Sequence, residues 1–181
     1  MVFTETGLPG AYVVDIEPRA DERGLFARSW CQDEFGAHGL ETRLVQCSIS
    51  RSARRHTLRG LHYQAAPHAE VKLVRCTMGA IYDVIVDLRP GSPTCGKYFG
   101  AELSAASHRA LYVPEGFAHG FLTLVDESEV FYQMSEFYHP DAARGVRWDD
   151  PAFGIAWPAR PAVISDRDAA YQDFDGSKGV S

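Results

Sequence analysis

Short apolar runs, separated at close intervals by Gly, Pro, Asp and Ser, dominate the pattern of this chain. They predict strands over Ala11–Glu17, Gly24–Trp30, Leu44–Ser50, Leu58–Gln64, Val71–Thr77, Ala80–Leu88, Tyr98–Leu103, Ala110–Val113, Gly120–Val125 and Glu129–Phe137. Turn signals lie between them at Met78-Gly79, Arg89-Pro90-Gly91-Ser92-Pro93, Pro114-Glu115-Gly116 and Asp126-Glu127-Ser128. Thr77–Ala80 reads as the tip of a hairpin. Helical signals are short: Asp33–Ala37, Ala105–Arg109 and Arg167–Tyr171. Many short strands with regular turns predict an all-β, antiparallel jelly-roll sandwich or barrel with a few short helices.

Side chains alternate across a strand, so the pattern also assigns faces. On Ala80–Leu88, Tyr82, Val84, Val86 and Leu88 form an apolar face suited to packing against a second sheet. Ile81, Asp83, Ile85 and Asp87 form a mixed face, and an acid pointing inward there must be paired. On Leu58–Gln64, strict alternation puts Leu58, Gly60, His62 and Gln64 on one face, with Arg59, Leu61 and Tyr63 on the other. A strand-held histidine presents one nitrogen at a fixed angle and exchanges protons near neutrality. Alone, such a residue is more often a partly buried histidine bonded to a neighbouring strand. His62, Lys72, Asp83, His119 and Tyr132 all fall in strands or at their ends. Directed inward together they would make a polar lumen, which is a ligand site rather than a core.

Composition narrows the classes. The 181 residues suit one domain spanning 1–181, with the polar stretch 175–181 read as a loose tail. A net charge of −6 argues against a broad nucleic-acid or anionic-membrane surface. The cysteines at 31, 47, 76 and 95 form no Cys-x-x-Cys pair, which favours reduced thiols and a cytoplasmic setting. No signal peptide or membrane-spanning run is visible.

A series of blocks carries a resemblance. They are Asp21-Glu22-Arg23-Gly24, Arg59–Gln64, Lys72-Leu73-Val74-Arg75, and Gly79 through Asp83 to Arg89. Ser92-Pro93-Thr94, Pro114 through His119 to Phe121, Tyr132, Tyr138, Trp148-Asp149-Asp150-Pro151, Trp157-Pro158 and Ser165-Asp166-Arg167-Asp168 follow. In this order, over about residues 7–170, the chain resembles the dTDP-4-dehydrorhamnose 3,5-epimerase family, cupin-type epimerases of sugar nucleotides. The resemblance implies a cofactor-independent isomerase acting at C3 and C5 of a dTDP-linked 4-keto-6-deoxyhexose. It implies His62 as base, Tyr132 as opposing acid, Lys72 as oxyanion partner and Asp168 as the carboxylate orienting His62. Arg23 and Arg59 would hold the diphosphate, and Phe26, Gln46 and Tyr138 would contact or flank the base, Tyr138 by stacking. Asp83 and His119 would line the pocket as hydrogen-bonding support. A homodimer is implied, with the segment bearing Arg23 and Phe26 reaching the neighbouring subunit's site.

The chain departs from the family pattern at Arg28, where a glutamate is usual, and at Ser48, where Gln-x-Asn is usual. No metal site is expected: His-x-His is absent, His56 and His62 are six apart, His119 is solitary, and Lys72 adds positive charge. No Gly-x-Gly-x-x-Gly fingerprint suggests a nicotinamide cofactor. Other readings are a mono-epimerase, a keto-sugar isomerase on the same fold, and a non-catalytic sugar-nucleotide-binding cupin.

Overall fold

The computed structural model describes residues 1–175, so residues 176–181 of the expected tail lie outside the described residues. In chain order the strands are β1 (Val2–Glu5), β2 (Tyr12–Asp15), β3 (Arg19–Asp21), β4 (Gly24–Phe26), β5 (Gln46–Ser52), β6 (Leu58–Gln64) and β7 (Lys72–Met78). They continue with β8 (Ala80–Asp87), β9 (Tyr98–Ser104), β10 (Ala110–Val113), β11 (Phe117–Thr123), β12 (Ser128–Met134) and β13 (Ala143–Gly145). The helices are α1 (Gln32–Ala37) and α2 (Asp166–Ala169). One sheet runs β1-β2-β10-β7-β12-β5, the other runs β13-β6-β11-β8-β9, and β3-β4 form a separate hairpin. The named strands pair antiparallel throughout, as the pattern predicts for a jelly roll.

The core between the sheets draws Val13, Val74, Cys76, Leu111 and Val130 from the first sheet, and Ile81, Ile85, Leu103, Phe117 and Phe121 from the second. This keeps the mixed face of β8 inward, as read, but changes the partner of its apolar face. Ile81, Asp83 and Ile85 point between the sheets, while Val84, Val86 and the following Leu88 pack with Val146 and Phe153, and with Ile155 and Trp157. The C-terminal segment therefore supplies the cover that a second sheet was expected to give. On the first sheet's outer face, Phe35 of α1 packs on Val14, Leu73 and Tyr112. Burying that ring contributes about 2–3 kcal/mol.

The Thr77–Ala80 hairpin does not form. β7 and β8 belong to different sheets, so the chain changes layer at Gly79. Gly79 has φ +74°, and a Cβ there would lie 2.7 Å from Ser128 Oγ and 3.1 Å from Ser128 Cα. The expected helix at Ala105–Arg109 is a turn: Ser104 and Ser107 side chains take its backbone N–H groups, and His108 sits at φ +53°. The described residues contain no helix long and apolar enough to cross a membrane. All four cysteines are free.

Asp87, at the end of β8, leaves the mixed face to clamp a loop. Its carboxylate accepts from Arg89 Nε and Nη2, Ser92 Oγ and Thr94 Oγ1 at 2.6–2.9 Å. Burial pushes this carboxyl up, yet those bonds outweigh it and pull it down to about 2. A depressed carboxyl stabilises the fold above the aspartate's unfolded value, and that stabilisation is lost as pH falls through the folded one. Asp87→Asn should cost about 2 kcal/mol at pH 7. In urea melts at several pH values, the gap from wild type should narrow between about pH 4 and pH 2. A gap that stays constant down to pH 2 would reject this role.

Candidate active site

β6 carries the site, and its pairing with β11 is irregular. Leu58 faces Leu122 and Arg59 faces Phe121, but His62 faces His119, so β6 holds one extra residue between Arg59 and His62. This bulge resets the alternation. Arg59 and His62, opposed by residues two apart on β11, lie on the same inward face, which corrects the strict alternation read from sequence. Gly60 makes the bulge possible: its φ is +134°, and a Cβ would sit 2.6 Å from Gly120 Cα on the adjacent strand.

Asp168 fastens both parts of this strand. Its Oδ1 lies 2.8 Å from His62 Nε2, and its Oδ2 accepts from Gly60 N–H at 3.1 Å. Ser165 caps α2, its Oγ accepting from Asp168 N–H at 3.1 Å. The helix-cap and orienting roles of the Ser165–Asp168 motif therefore coincide. Burial pushes the Asp168 carboxyl up, but the His62 bond and charge, the Gly60 N–H and Ser165 together hold it below the usual aspartate range. An ionised Asp168 assigns the hydrogen to His62 Nε2 and leaves Nδ1 as the proton acceptor. The His62 side chain is 44% exposed, against 7% for Asp168.

Across from His62, the inner face of the first sheet changes character along its strands. Val74, Cys76 and Val130 belong to the core. Further along lie Gln46, Ser48 and Ser50 of β5, Lys72 of β7, and Tyr132 and Met134 of β12, which line the cavity. Tyr132 sits at the boundary, its ring edge-on to His119 at 5.9 Å. Burial first, and then the Asp83 charge, raise its phenol well above the ordinary value, while Arg59 and a bond from Ser50 oppose this. Tyr132 is therefore a neutral O–H donor at physiological pH. Lys72 Nζ is 2.8 Å from Glu70 Oε1 and 3.5 Å from the His62 carbonyl oxygen.

The cavity has two lobes of about 570 and 480 Å³ that share His62, Tyr132 and Arg167. Arg59 and Asp168 line the first lobe. Lys72, Gln46, Tyr138, Glu70 and Arg144 line the second, where Tyr138 N–H donates to Gln46 Oε1 at 3.2 Å. Among the described residues, a larger cavity of about 700 Å³ under Trp148 and Trp157 has no histidine, tyrosine or lysine in its lining for proton transfer.

Seven of the residues singled out from sequence thus converge: His62, Tyr132, Asp168, Lys72, Arg59, Gln46 and Tyr138. Asp83 and His119 do not line the pocket as expected. Both are buried, bonded to each other at 2.8 Å behind Tyr132, and Asp83 Oδ2 has no hydrogen-bond partner among the described residues. Burial pushes the Asp83 carboxyl up, with His119 opposing. Arg23 and Phe26 stand apart on the β3–β4 hairpin, Arg23 paired with Asp21 and Phe26 77% exposed. Arg28 is away from the pocket too, paired with Glu34 at 2.7 Å, whereas Ser48 is in the lining. Sequence reading missed Arg167, Arg144 and Glu70. Arg167 adjoins Asp168, and Glu70 precedes Lys72 by two, the strand spacing for one face.

Comparison with known proteins agrees with this geometry. The family model described as dTDP-4-dehydrorhamnose 3,5-epimerase matches residues 5–176. The dTDP-4-dehydrorhamnose 3,5-epimerase of Shigella flexneri is 43% identical over 175 residues, 96% of each chain. The Bacillus anthracis enzyme of that name, solved with TDP and PPi bound, superposes with a TM-score of 0.92 at 41% identity, covering 96% of this chain and 99% of that one. The dTDP-6-deoxy-D-glucose-3,5-epimerase of Legionella pneumophila, in complex with dTDP-4-keto-L-rhamnose, gives a TM-score of 0.89 at 34% identity, with coverage of 95% and 92%. An imidazole–carboxylate pair facing a buried phenol across two sheets, together with these matches, places the chain in the dTDP-4-dehydrorhamnose 3,5-epimerase family.

Proposed function

We propose that the chain inverts C3 and C5 of a dTDP-linked 4-keto-6-deoxyhexose, as in dTDP-4-dehydrorhamnose formation for deoxysugar biosynthesis. The observation that carries this reading is the placement of His62 and Tyr132 on opposite sheets facing one cavity. The C4 carbonyl acidifies the hydrogens on its two neighbours. His62 Nδ1 takes one as a proton, and the electron pair moves through the C–C bond onto the C4 oxygen. Lys72 stabilises that enolate oxygen. The pair then returns to carbon, which takes the Tyr132 proton from the opposite face, inverting the centre. Arg59 and Ser50 stabilise the transient phenolate. Solvent removes the proton from His62 and restores that of Tyr132, so no redox partner is needed.

Arg59 and Arg167 form the cationic rim for the diphosphate, with Tyr138 and Gln46 beside the base. Arg23 and Phe26 would complete the site from a second copy. The exposed Leu25 and Phe26 of the β3–β4 hairpin, distant from their own pocket, support a homodimer. Mixing Arg23→Ala and His62→Ala chains should then restore part of the lost turnover, since a mixed dimer contains one intact site. Turnover that stays at the level of the separate variants would reject the shared site.

Nuclear magnetic resonance of the product from dTDP-4-keto-6-deoxyglucose tests the activity. The expected product keeps its carbonyl at C4 and is inverted at both C3 and C5. Inversion at one centre would make the chain a mono-epimerase, a displaced carbonyl a keto-isomerase, and binding without turnover a sugar-nucleotide-binding cupin.

A further inference from the structure

Outside the pocket, one cluster of metal-ligating side chains is held together by a buried scaffold. His68 follows β6 and His139 follows β12, and their rings stack with centroids 3.5 Å apart at 19°. Glu136 joins them, so that one ligating atom from each of the three lies within 4.8 Å of the others. His139 Nε2 is 3.8 Å from Glu136 Oε1.

The buried Gln64 side chain fixes the backbones that present them. Its Nε2 donates to the carbonyl oxygens of His68 and Phe137 at 3.0 and 3.1 Å, and its Oε1 accepts from His139 N–H at 2.6 Å. Glu136 is held from two sides. Phe137 N–H donates to Oε1 at 2.8 Å, while Arg43 Nη2 lies 3.2 Å from Oε2. Metal sites use this kind of outer hydrogen bonding to aim their ligands.

We propose that His68, Glu136 and His139 bind one zinc-class divalent cation through two imidazole nitrogens and one carboxylate oxygen. Borderline donors of this type suit zinc, nickel or copper(II) better than magnesium or calcium. Ligand atoms about 2.0–2.2 Å from zinc stand roughly 3.4 Å apart in a tetrahedral shell. Completing the site requires closing the trio by up to about 1.4 Å and rotating the two stacked imidazoles out of parallel so that both nitrogen lone pairs meet the ion. Water fills the remaining position. The sequence expectation is of no metal site, and it rests on histidine spacing; this trio unites loops about 70 residues apart, which no local spacing reveals. Tyr138, between Glu136 and His139, lines the substrate cavity. A bound cation would therefore fasten the segment that carries it.

Titration of the chelator-treated full chain with zinc chloride in a calorimeter tests the site. Wild type should bind one equivalent. His68→Ala and His139→Ala should each weaken binding at least about tenfold, and the double variant should abolish it. Zinc should also raise the melting temperature of wild type but not of the double variant, provided both give the same circular dichroism spectrum before metal is added. Cobalt(II), as a paramagnetic substitute, should broaden the imidazole resonances of His68 and His139. No saturable binding in wild type would overturn the site. So would equal binding by the double variant, which would move the metal to thiols such as the exposed Cys47.

Discussion

Replacing His62 with Ala should lower kcat by about 10³-fold, equivalent to about 4 kcal/mol of transition-state stabilisation. The carbon-bound hydrogens at C3 and C5 are weak acids, and a positioned base is what makes their removal fast. His62 meets the requirement because three constraints act on one strand. The bulge at Gly60 turns the imidazole into the cavity, Asp168 bonds Nε2 at 2.8 Å, and the free Nδ1 faces the lobes it shares with Tyr132. The loss should fall on kcat with little change in KM, since the contacts proposed for the nucleotide, at Arg59, Arg167 and Tyr138, are left in place. Asp168→Asn should reduce kcat less, because the base remains but its tautomer and angle are no longer set. Steady-state kinetics decide the matter; an Ala variant within about tenfold of wild type would remove His62 from the role of base.

Replacing Tyr132 with Phe should separate two events that wild type performs together. The base is intact, so His62 still removes a hydrogen, and its partly exposed imidazole trades that proton with solvent. The acid on the other sheet is gone, so protonation returns from the His62 face. Substrate recovered from deuterium oxide should therefore carry deuterium with its original configuration, while net inversion falls by about 10²–10⁴-fold. Proton and mass spectra of the recovered sugar nucleotide read both quantities. Inversion near the wild-type rate would show that the second proton comes from elsewhere. The buried dyad of Asp83 and His119 behind Tyr132 adds a contrast: it shapes the phenol's environment from a position closed to solvent.

Much of this arrangement was legible in the residues. The Leu58–Gln64 and Ala110–Val113 strands form with the bounds that their apolar runs and flanking turns predict. What escaped depends on contacts between distant segments. Strand β1 is a short edge, and β3 and β13 have three residues each, too few to show a period. The crossing at Gly79 looks like a hairpin because both use a glycine at positive φ; only the sheet assignment separates them. Likewise, alternation put Arg59 and His62 on opposite faces, and a one-residue register shift against β11 brings them together. Asp83 reads as pocket-facing on its strand, yet the Tyr132 and His119 side chains lie between it and the cavity. Arg167 was hidden by its neighbour, since the motif that flags Asp168 reads equally as a helix start.

The most direct measurement is hydrogen exchange at the two carbons beside the ketone. Wild-type protein turning over dTDP-4-keto-6-deoxyglucose in deuterium oxide should yield product with deuterium at C3 and C5, both inverted, because each original hydrogen leaves on His62 and each new one comes from Tyr132. Product that is inverted but retains its original hydrogens at both carbons, or substrate recovered with neither exchange nor inversion, would contradict proton transfer between these two sheets.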